Sequence, residues 1–293
     1  MPAATASTSW TADPALVWIA AVAVLYRLGG RGCSRSAEPW RSVSFAAGLT
    51  VLVIALASPI HELADRLLWV HMVQHVLVLL VAPPLLALAR PWNRIWHGLP
   101  LDWRRRVAGA VLRGGPTAPL RRAARGIGSP VASWSLFNVT LVGWHLPFAY
   151  DATLHSPLAH GLEHAMFFAT GLLFWTRVID SPPWRSPLTA VGRAAYAGLA
   201  LVVGWILALA LAFAPEPLYA AYAAETARPG GISALADQRI AAGMMWVPGS
   251  IPLTIAVLAI LSRWLDPRAA ETTEPRAARS VGIEGMRPRR SSR

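Results

Sequence analysis

The chain has 293 residues, 55% of them hydrophobic, and its apolar residues occur in long runs that are typical of a membrane protein rather than of a soluble core. Its formal charge of +12 comes from arginine alone, and the arginines lie in loops between the apolar runs, which argues against a nucleic-acid partner. Cys33 is the single cysteine, which excludes an internal disulfide and any paired-cysteine metal site.

The apolar runs predict membrane-spanning helices, because about 20 mainly apolar residues cross a bilayer. The fold class predicted is all-α, a polytopic membrane bundle of about seven transmembrane helices within residues 1–266. Residues 267–293, rich in Arg, Glu, Pro and Ser, are predicted to form a disordered basic tail. Met1–Asp13 has no basic residue, so the short first run is expected to be retained as a helix rather than cleaved as a signal peptide. The predicted spans are Pro14–Leu28, Ser42–Pro59, Leu67–Ala89, Val131–Phe148, Pro157–Ile179, Ala190–Ala214 and Ile240–Leu261.

Arginine counts alternate from one connecting segment to the next. Because arginines near helix ends stay on the cytoplasmic side, this alternation predicts an outside N-terminus, an inside C-terminus and a multi-pass protein of the cell inner (plasma) membrane. The Arg-rich segments are Arg31–Arg41, Arg90–Arg125, Arg177–Arg193 and the tail from Arg263; the Arg-poor segments are Met1–Asp13, Ile60–Arg66, Ala149–Ser156 and Pro215–Arg239. The stretch Pro91–Ser129, which overlaps the second Arg-rich segment, is expected to lie along the inner surface.

Seven of the eight histidines are predicted to lie toward the outer side, with His97 as the exception. His71 and His75 form one pair four residues apart, and His160 and His164 form another at matching depth. Residues four apart share a helix face, so each pair can present two imidazoles to one point between helices. Because ionisable groups inside a membrane are costly, such a layer predicts a functional site, either a metal or a haem site.

Ligand chemistry favours copper at this layer, since histidine with methionine and without cysteine suits copper better than structural zinc. Each single histidine could instead be a buried hydrogen-bonding partner, and the methionines could be packing residues. His160-Gly-Leu-Glu-His164 also has the H-x-x-E-H form of one zinc-protease class, but the parallel His71-Met-Val-Gln-His75 has Gln in place of the base. The candidate metal ligands are His71, His75, His145, His160, His164, Met72, Met244, Met245 and Asp237.

Several sequence blocks resemble the multi-span CtaG family of integral-membrane cytochrome c oxidase assembly factors. The resemblance covers about residues 58–262. The matching blocks are His71-Met-Val-Gln-His75 with Val81-Ala-Pro-Pro-Leu85, Gly143-Trp-His-Leu-Pro147 with Tyr150-Asp151, Ser156-Pro157 leading to Leu162-Glu-His164 and Gly171-Leu-Leu-Phe-Trp175, and Asp237-Gln238 with Met245-Trp-Val-Pro-Gly249.

The resemblance implies a non-enzymatic role in maturing haem–copper oxidase, with copper supply as the proposed task. The partners it implies are oxidase subunits or other assembly factors in the lipid bilayer, and a homo-oligomer is an open alternative. Two other hypotheses remain open from the residues alone. One is a membrane haem protein with bis-histidine ligation that transfers electrons, and the other is a transporter of copper or protons.

Overall fold

The computed structural model describes residues 13–31, 38–112, 118–226 and 228–266, and within these ranges all regular elements are helices. A π-helical turn at Leu77–Val81 joins α4 to α5, and a short 3-10 turn at Pro229–Gly231 precedes the last helix. The helices are α1 (Ala15–Arg31), α2 (Pro39–Ala57), α3 (Pro59–Ala64), α4 (Leu68–Val76), α5 (Ala82–Ala89), α6 (Trp92–Gly98), α7 (Leu101–Leu112), α8 (Ala118–Ile127), α9 (Pro130–Trp144), α10 (Pro147–His155), α11 (Pro157–Val178), α12 (Ala190–Phe213), α13 (Ala220–Ala224) and α14 (Ala234–Leu265).

Four stretches of the described chain are long and apolar enough to cross a membrane: α2, the continuous Leu68–Ala89 helix, α12 and α14. The other three predicted spans are helices that fall short of that standard. Helix α1 has 17 residues and α9 has 15, while α11 has 22 but carries the polar residues of the candidate site. The all-α membrane architecture is therefore confirmed, and the count of seven crossings and the orientation stay predictions. Residues 1–12, Cys33 and the tail from residue 267 lie outside the described residues.

Three helices of the bundle begin with the same Ser-Pro dipeptide. The hydroxyl oxygens of Ser58, Ser129 and Ser156 accept the backbone N–H of the residue two or three positions later, at 3.2–3.3 Å. The following proline occupies the first helical turn, where its missing N–H costs nothing. This local signal sets where α3, α9 and α11 start, and Ser156 therefore fixes the register of the histidine pair on α11.

The π turn at Leu77–Val81 places α11 beside the Leu68–Ala89 helix. Pro83 has no N–H to donate to the carbonyl oxygen of Leu79, and the indole N–H of Trp175 donates to that oxygen instead, at 3.3 Å. Gly171 makes the approach possible, because a Cβ there would lie 2.8 Å from the Leu79 oxygen. The two helices therefore run in close contact, and their histidine pairs face each other.

A second close approach joins α1 to α6 through two glycines. A Cβ on Gly29 would lie 1.8 Å from the Arg94 carbonyl oxygen, and a Cβ on Gly98 would lie 2.0 Å from the Leu25 carbonyl oxygen. Only glycine fits where two backbones meet in this way. The contact holds α6, the first helix of the segment expected at the inner surface, against the bundle.

Candidate metal centre

An aspartate from a distant helix fixes the start of α4. The carboxylate of Asp237, fully buried on α14, accepts the backbone N–H groups of Leu68 and Trp69, both at 3.0 Å. Its charge also faces the Arg228 guanidinium, with 3.5 Å between Nε and Oδ2. A carboxylate at a helix N-terminus satisfies donors that the helix itself leaves unpaired. Asp237 therefore positions the first turns of α4, on which His71 and His75 follow.

The first turns of α11 carry the other polar side chains of the site. His160, Glu163 and His164 are three and four residues apart and lie on one buried face of the helix. Glu163 has no solvent-exposed surface. Ser156 and Pro157 begin the helix just before them, so all three side chains lie in its first two turns.

The two helices bring five polar side chains together, which we call the histidine cluster: His71, His75, His160, Glu163 and His164. One ligand atom from each of His71, His75, Glu163 and His164 lies within 4.8 Å of the others. The carboxylate oxygens of Glu163 lie 3.5 Å from Nε2 of His71 and 3.4 Å from Nε2 of His75. His160 completes the group, with its ring centroid 4.4 Å from that of His164 and 5.1 Å from that of His71. All five side chains are buried.

A hydrogen-bond chain fixes the protonation pattern of His71. The Tyr222 hydroxyl donates its proton to the carbonyl oxygen of Ala64, so it accepts from Nδ1–H of His71, at 3.0 Å. Burial holds the pKa of Tyr222 well above its usual range, which keeps the hydroxyl protonated at neutral pH. In the neutral imidazole the lone pair on Nε2 of His71 then faces the Glu163 carboxylate. The lone pair and the carboxylate then lie 3.5 Å apart, an arrangement that either a proton on Nε2 or a bound cation would stabilise.

A softer pair of acceptors lies beside the cluster. His145 ends α9, and its Nδ1–H donates to the Leu141 carbonyl oxygen at 2.7 Å, which leaves the Nε2 lone pair free in the neutral ring. That nitrogen lies 3.3 Å from the sulfur of Met72, which is fully buried. The His145 ring lies 5.8 Å from the His75 ring, so His75 contacts both groups of ligands. A small cavity lined by these three residues and Met245 opens beside the pair.

The structure divides the predicted ligand set. His71, His75, His160 and His164 converge with Glu163, His145 pairs with Met72, and Met245 lines the adjoining cavity. Met244 faces a different cavity, lined by apolar side chains of α4 and α14. Asp237 lies outside the cluster because both carboxylate oxygens cap α4.

Several supporting residues were not predicted from the sequence. Tyr222 orients His71, and the Tyr219 hydroxyl donates to the His145 carbonyl oxygen at 3.1 Å. Tyr150 is fully buried, with its ring 5.0 Å from that of His71. The sequence signal that could have indicated Tyr219 and Tyr222 is their spacing of three in the Arg-poor segment 215–239, with Tyr219 just before α13 and Tyr222 within it.

Gln74 and His61 form a further layer behind the cluster. The Gln74 amide donates to the Ala55 carbonyl oxygen at 2.7 Å and lies 3.2 Å from Nδ1 of His61. The His61 ring stacks on that of His160, with centroids 5.3 Å apart. Gln74 is therefore a structural residue that joins α4 to α2 and holds His61 against the cluster.

Comparison with known proteins places these residues in a described family. A family model described as cytochrome c oxidase caa3 assembly factor (Caa3_CtaG) matches residues 8–266. An uncharacterized protein of Mycobacterium bovis and one of Mycobacterium tuberculosis are each 24% identical over 278 residues, which cover 92% of this chain and 42% of each relative. The chain thus spans less than half the length of the curated relatives it matches. No solved structure matches it.

Proposed function

The chain belongs to the family of cytochrome c oxidase caa3 assembly factors, and on that premise we propose that it binds copper at the histidine cluster and passes it toward the oxidase. The proposed role is non-enzymatic, with the metal as cargo rather than as a resident catalytic group. The proposed site lies on the extracytoplasmic side of the inner membrane, where the arginine pattern predicts these helix ends to be.

The observation that carries the proposal is a set of buried polar atoms without hydrogen-bond partners. Within the described chain, both oxygens of Glu163 and the Nε2 atoms of His71, His75, His160 and His164 are buried and have no hydrogen-bond partner. Leaving buried polar atoms unpaired costs about 1–3 kcal/mol each, so native proteins rarely keep several together. A cation bound by His71, His75, Glu163 and His164 would satisfy one atom of each at once.

The geometry of the ligands suits a single ion. Metal–imidazole bonds are about 2 Å long, so ligands on opposite sides of one ion lie about 4 Å apart. The four atoms of His71, His75, Glu163 and His164 lie within 4.8 Å of one another, and small side-chain rotations close the difference. Three imidazoles with one carboxylate bind several divalent metals, of which copper forms the strongest complexes.

The pair of Met72 and His145 supports copper over zinc. Thioether sulfur is a soft ligand that favours Cu(I), and the Met72 sulfur lies 3.3 Å from Nε2 of His145. His75 contacts both this pair and the cluster, so an ion can exchange between them by replacing one ligand at a time. Mixed and incomplete coordination of this kind favours transfer over storage.

Haem ligation is less well supported than ion binding by the same geometry. The imidazole rings of the cluster pack against each other with centroids 4.4–6.3 Å apart, and a planar macrocycle needs a slot between its two axial ligands. The cavity beside His75 and His145 has a volume of about 40 Å³, close to that of one water molecule.

Protease action is also less well supported, since Glu163 is fully buried among imidazoles.

Metal binding by purified protein tests the proposal. Cu(I) and Zn²⁺ are titrated in competition with a chromophoric chelator into the wild type, the His71→Ala/His75→Ala variant and Glu163→Gln. We expect one tightly bound copper in the wild type, loss of at least about 100-fold in affinity in the double variant, and a smaller loss in Glu163→Gln. His97→Ala is the matched control, because His97 is exposed on α6.

The same variants are then assayed in cells for mature oxidase at equal levels of inserted protein. Reduced copper-loaded oxidase in the double variant, with His97→Ala normal, would support delivery. Normal copper affinity in the double variant would contradict the proposed site. Normal oxidase with lost copper affinity would separate metal binding from assembly and contradict the delivery role. An absorption spectrum with haem bands in the purified protein would favour the haem alternative.

A further inference from the structure

A second polar site lies near the opposite end of α11 from the histidine cluster. Arg177 follows His164 by 13 residues, which is about 20 Å along a helix. A cavity of about 590 Å³ opens there, within the range of roughly 300–1,000 Å³ usual for ligand pockets. Its walls come from α11, from α8 and from two tryptophans. The polar and aromatic residues that line it are Trp92, Arg125, Thr176, Arg177 and Trp184.

Arg177 is a buried cation without a carboxylate partner in the described part of the chain. The residue is 8% exposed, and its Nε has no hydrogen-bond acceptor. The acid nearest in sequence, Asp180, is held elsewhere, because it accepts from Arg193 at 3.0 Å and from the Ser186 N–H at 3.1 Å. A buried guanidinium is stable only when paired, so its position at a cavity indicates that the cavity receives an anion.

The rest of the cavity supports binding of an anion. Among the described residues that line it none is acidic, and Arg125 adds a second, exposed guanidinium from α8. The Arg177 guanidinium lies against the junction of α8 and α9, since a Cβ on Gly128 would lie 3.9 Å from its Nη2. The two arginines thus approach one cavity from different helices, and phosphate is an anion that guanidinium groups bind through paired hydrogen bonds.

Two tryptophans close the side of the cavity. The rings of Trp92 and Trp184 meet edge to face with centroids 4.6 Å apart, and the Trp92 indole N–H donates to Ser181 at 3.0 Å. Tryptophan is enriched where a membrane protein meets the lipid headgroup layer, because its ring is apolar and its N–H is polar. The site therefore combines cations for a headgroup with aromatic surface for the glycerol and upper acyl region.

We propose that this cavity binds the phosphate of an anionic phospholipid, with Arg177 as the buried anchor and Arg125 as the entrance cation. Basic pockets between helices at the Arg-rich side of a membrane protein are suited to such headgroups. The site is independent of the histidine cluster and of copper. Its occupancy would order α8 against α11.

Lipid binding to the detergent-solubilised, delipidated full chain tests the proposal by native mass spectrometry. Phosphatidylglycerol and phosphatidylcholine are titrated separately into the wild type, Arg177→Gln and Arg125→Gln. We expect the wild type to retain phosphatidylglycerol preferentially. Arg177→Gln should bind it about tenfold more weakly, the loss expected for one charged hydrogen-bonding group. Arg125→Gln should show a smaller loss, and because its side chain is exposed it tests the site without a risk to folding.

Arg105→Gln is the matched control, since it removes the same charge from an exposed position on α7 outside the cavity. Equal loss in Arg105→Gln and Arg125→Gln would show general attraction by net charge and overturn the proposal. Unchanged phosphatidylglycerol binding in Arg125→Gln and in folded Arg177→Gln would overturn it as well. Inorganic phosphate is titrated as a separate arm. Binding of phosphate with no retention of phosphatidylglycerol would assign the cavity to a soluble anion and overturn the lipid assignment.

Discussion

The two ends of the bundle arrange their charged and polar side chains in opposite ways. At the histidine cluster, buried acceptors from α4 and α11 converge on one point, and residues distant in sequence hold them there. At the arginine-rich end, around α6 to α8 and the end of α11, the cations are spread over short helices and many are exposed. Side chains that converge on one point need a rigid support, whereas dispersed and exposed cations are solvated one by one. The first end therefore gathers buried ligand atoms at one point, and the second spreads its charges over a surface.

The largest expected effect concerns the support of the arginine-rich end. Gly29→Ala places a methyl carbon 1.8 Å from the Arg94 carbonyl oxygen, so α1 and α6 cannot keep their contact. We expect strongly reduced thermal stability, by about 3 kcal/mol or more, with poor accumulation in the membrane. Gly30→Ala is the matched control, because its nearest neighbour outside the helix is the flexible Arg94 side chain at 3.7 Å. Equal thermal stability of the two variants would contradict the close contact.

An effect of similar size is expected at the support of the histidine cluster. Asp237→Ala removes the acceptor for two N–H groups of α4 and leaves Arg228 buried without its carboxylate partner. Breaking a buried ion pair costs about 3–5 kcal/mol, part of which Arg228→Gln in the same chain should recover. Thermal unfolding of the three proteins in one detergent measures this. Metal ligation by Asp237 would instead predict normal stability with lost copper binding.

The smallest effect tests how far the cluster depends on its hydrogen bonds. Tyr222→Phe keeps the ring but removes the hydroxyl that accepts from Nδ1–H of His71. Loss of such an outer partner weakens metal binding about 10- to 100-fold. Copper affinity should fall by that amount while the far-ultraviolet circular dichroism stays unchanged. Unchanged affinity would show that packing alone orients His71.

The sequence predicts the parts of the site that depend on helical periodicity. A spacing of four places His71 and His75 on one face of α4, and the same rule applies to His160 and His164 on α11. Helical periodicity could not show that Asp237 caps α4. The capped residue Trp69 lies 168 residues earlier in the chain, and the contact depends on how α14 packs. The Tyr222 contact to His71 spans 151 residues and was missed for the same reason.

The arrangement of some candidate ligands could not be predicted from the sequence, because composition does not determine how side chains pack. Met244 and Met245 are adjacent and equally soft, yet consecutive residues of a helix point about 100° apart, so only Met245 faces the cavity beside His145. Glu163 entered the sequence analysis only as part of the H-x-x-E-H motif and of a block that resembles the CtaG family, and it joins the cluster because it is three residues from His160. The helices of the candidate spans were placed well by apolar length, whereas the short α3, α10 and α13 depend on tertiary contacts.

The π turn after His75 acts as a phase shift within one long helix. A π turn holds one more residue than an α-helical turn, which rotates everything after it by about 100° relative to an uninterrupted helix. The upstream half can therefore present its histidines to α9 and α11 while the downstream half packs Ala82 and Leu86 against Gly48 of α2. Deleting one residue from Leu77–Val81 would restore a uniform helical phase, and no single register of that helix could then serve both sets of neighbours. The extra residue in the π turn thus allows the continuous Leu68–Ala89 helix to contact the histidine cluster with its first half and the apolar surface of α2 with its second half.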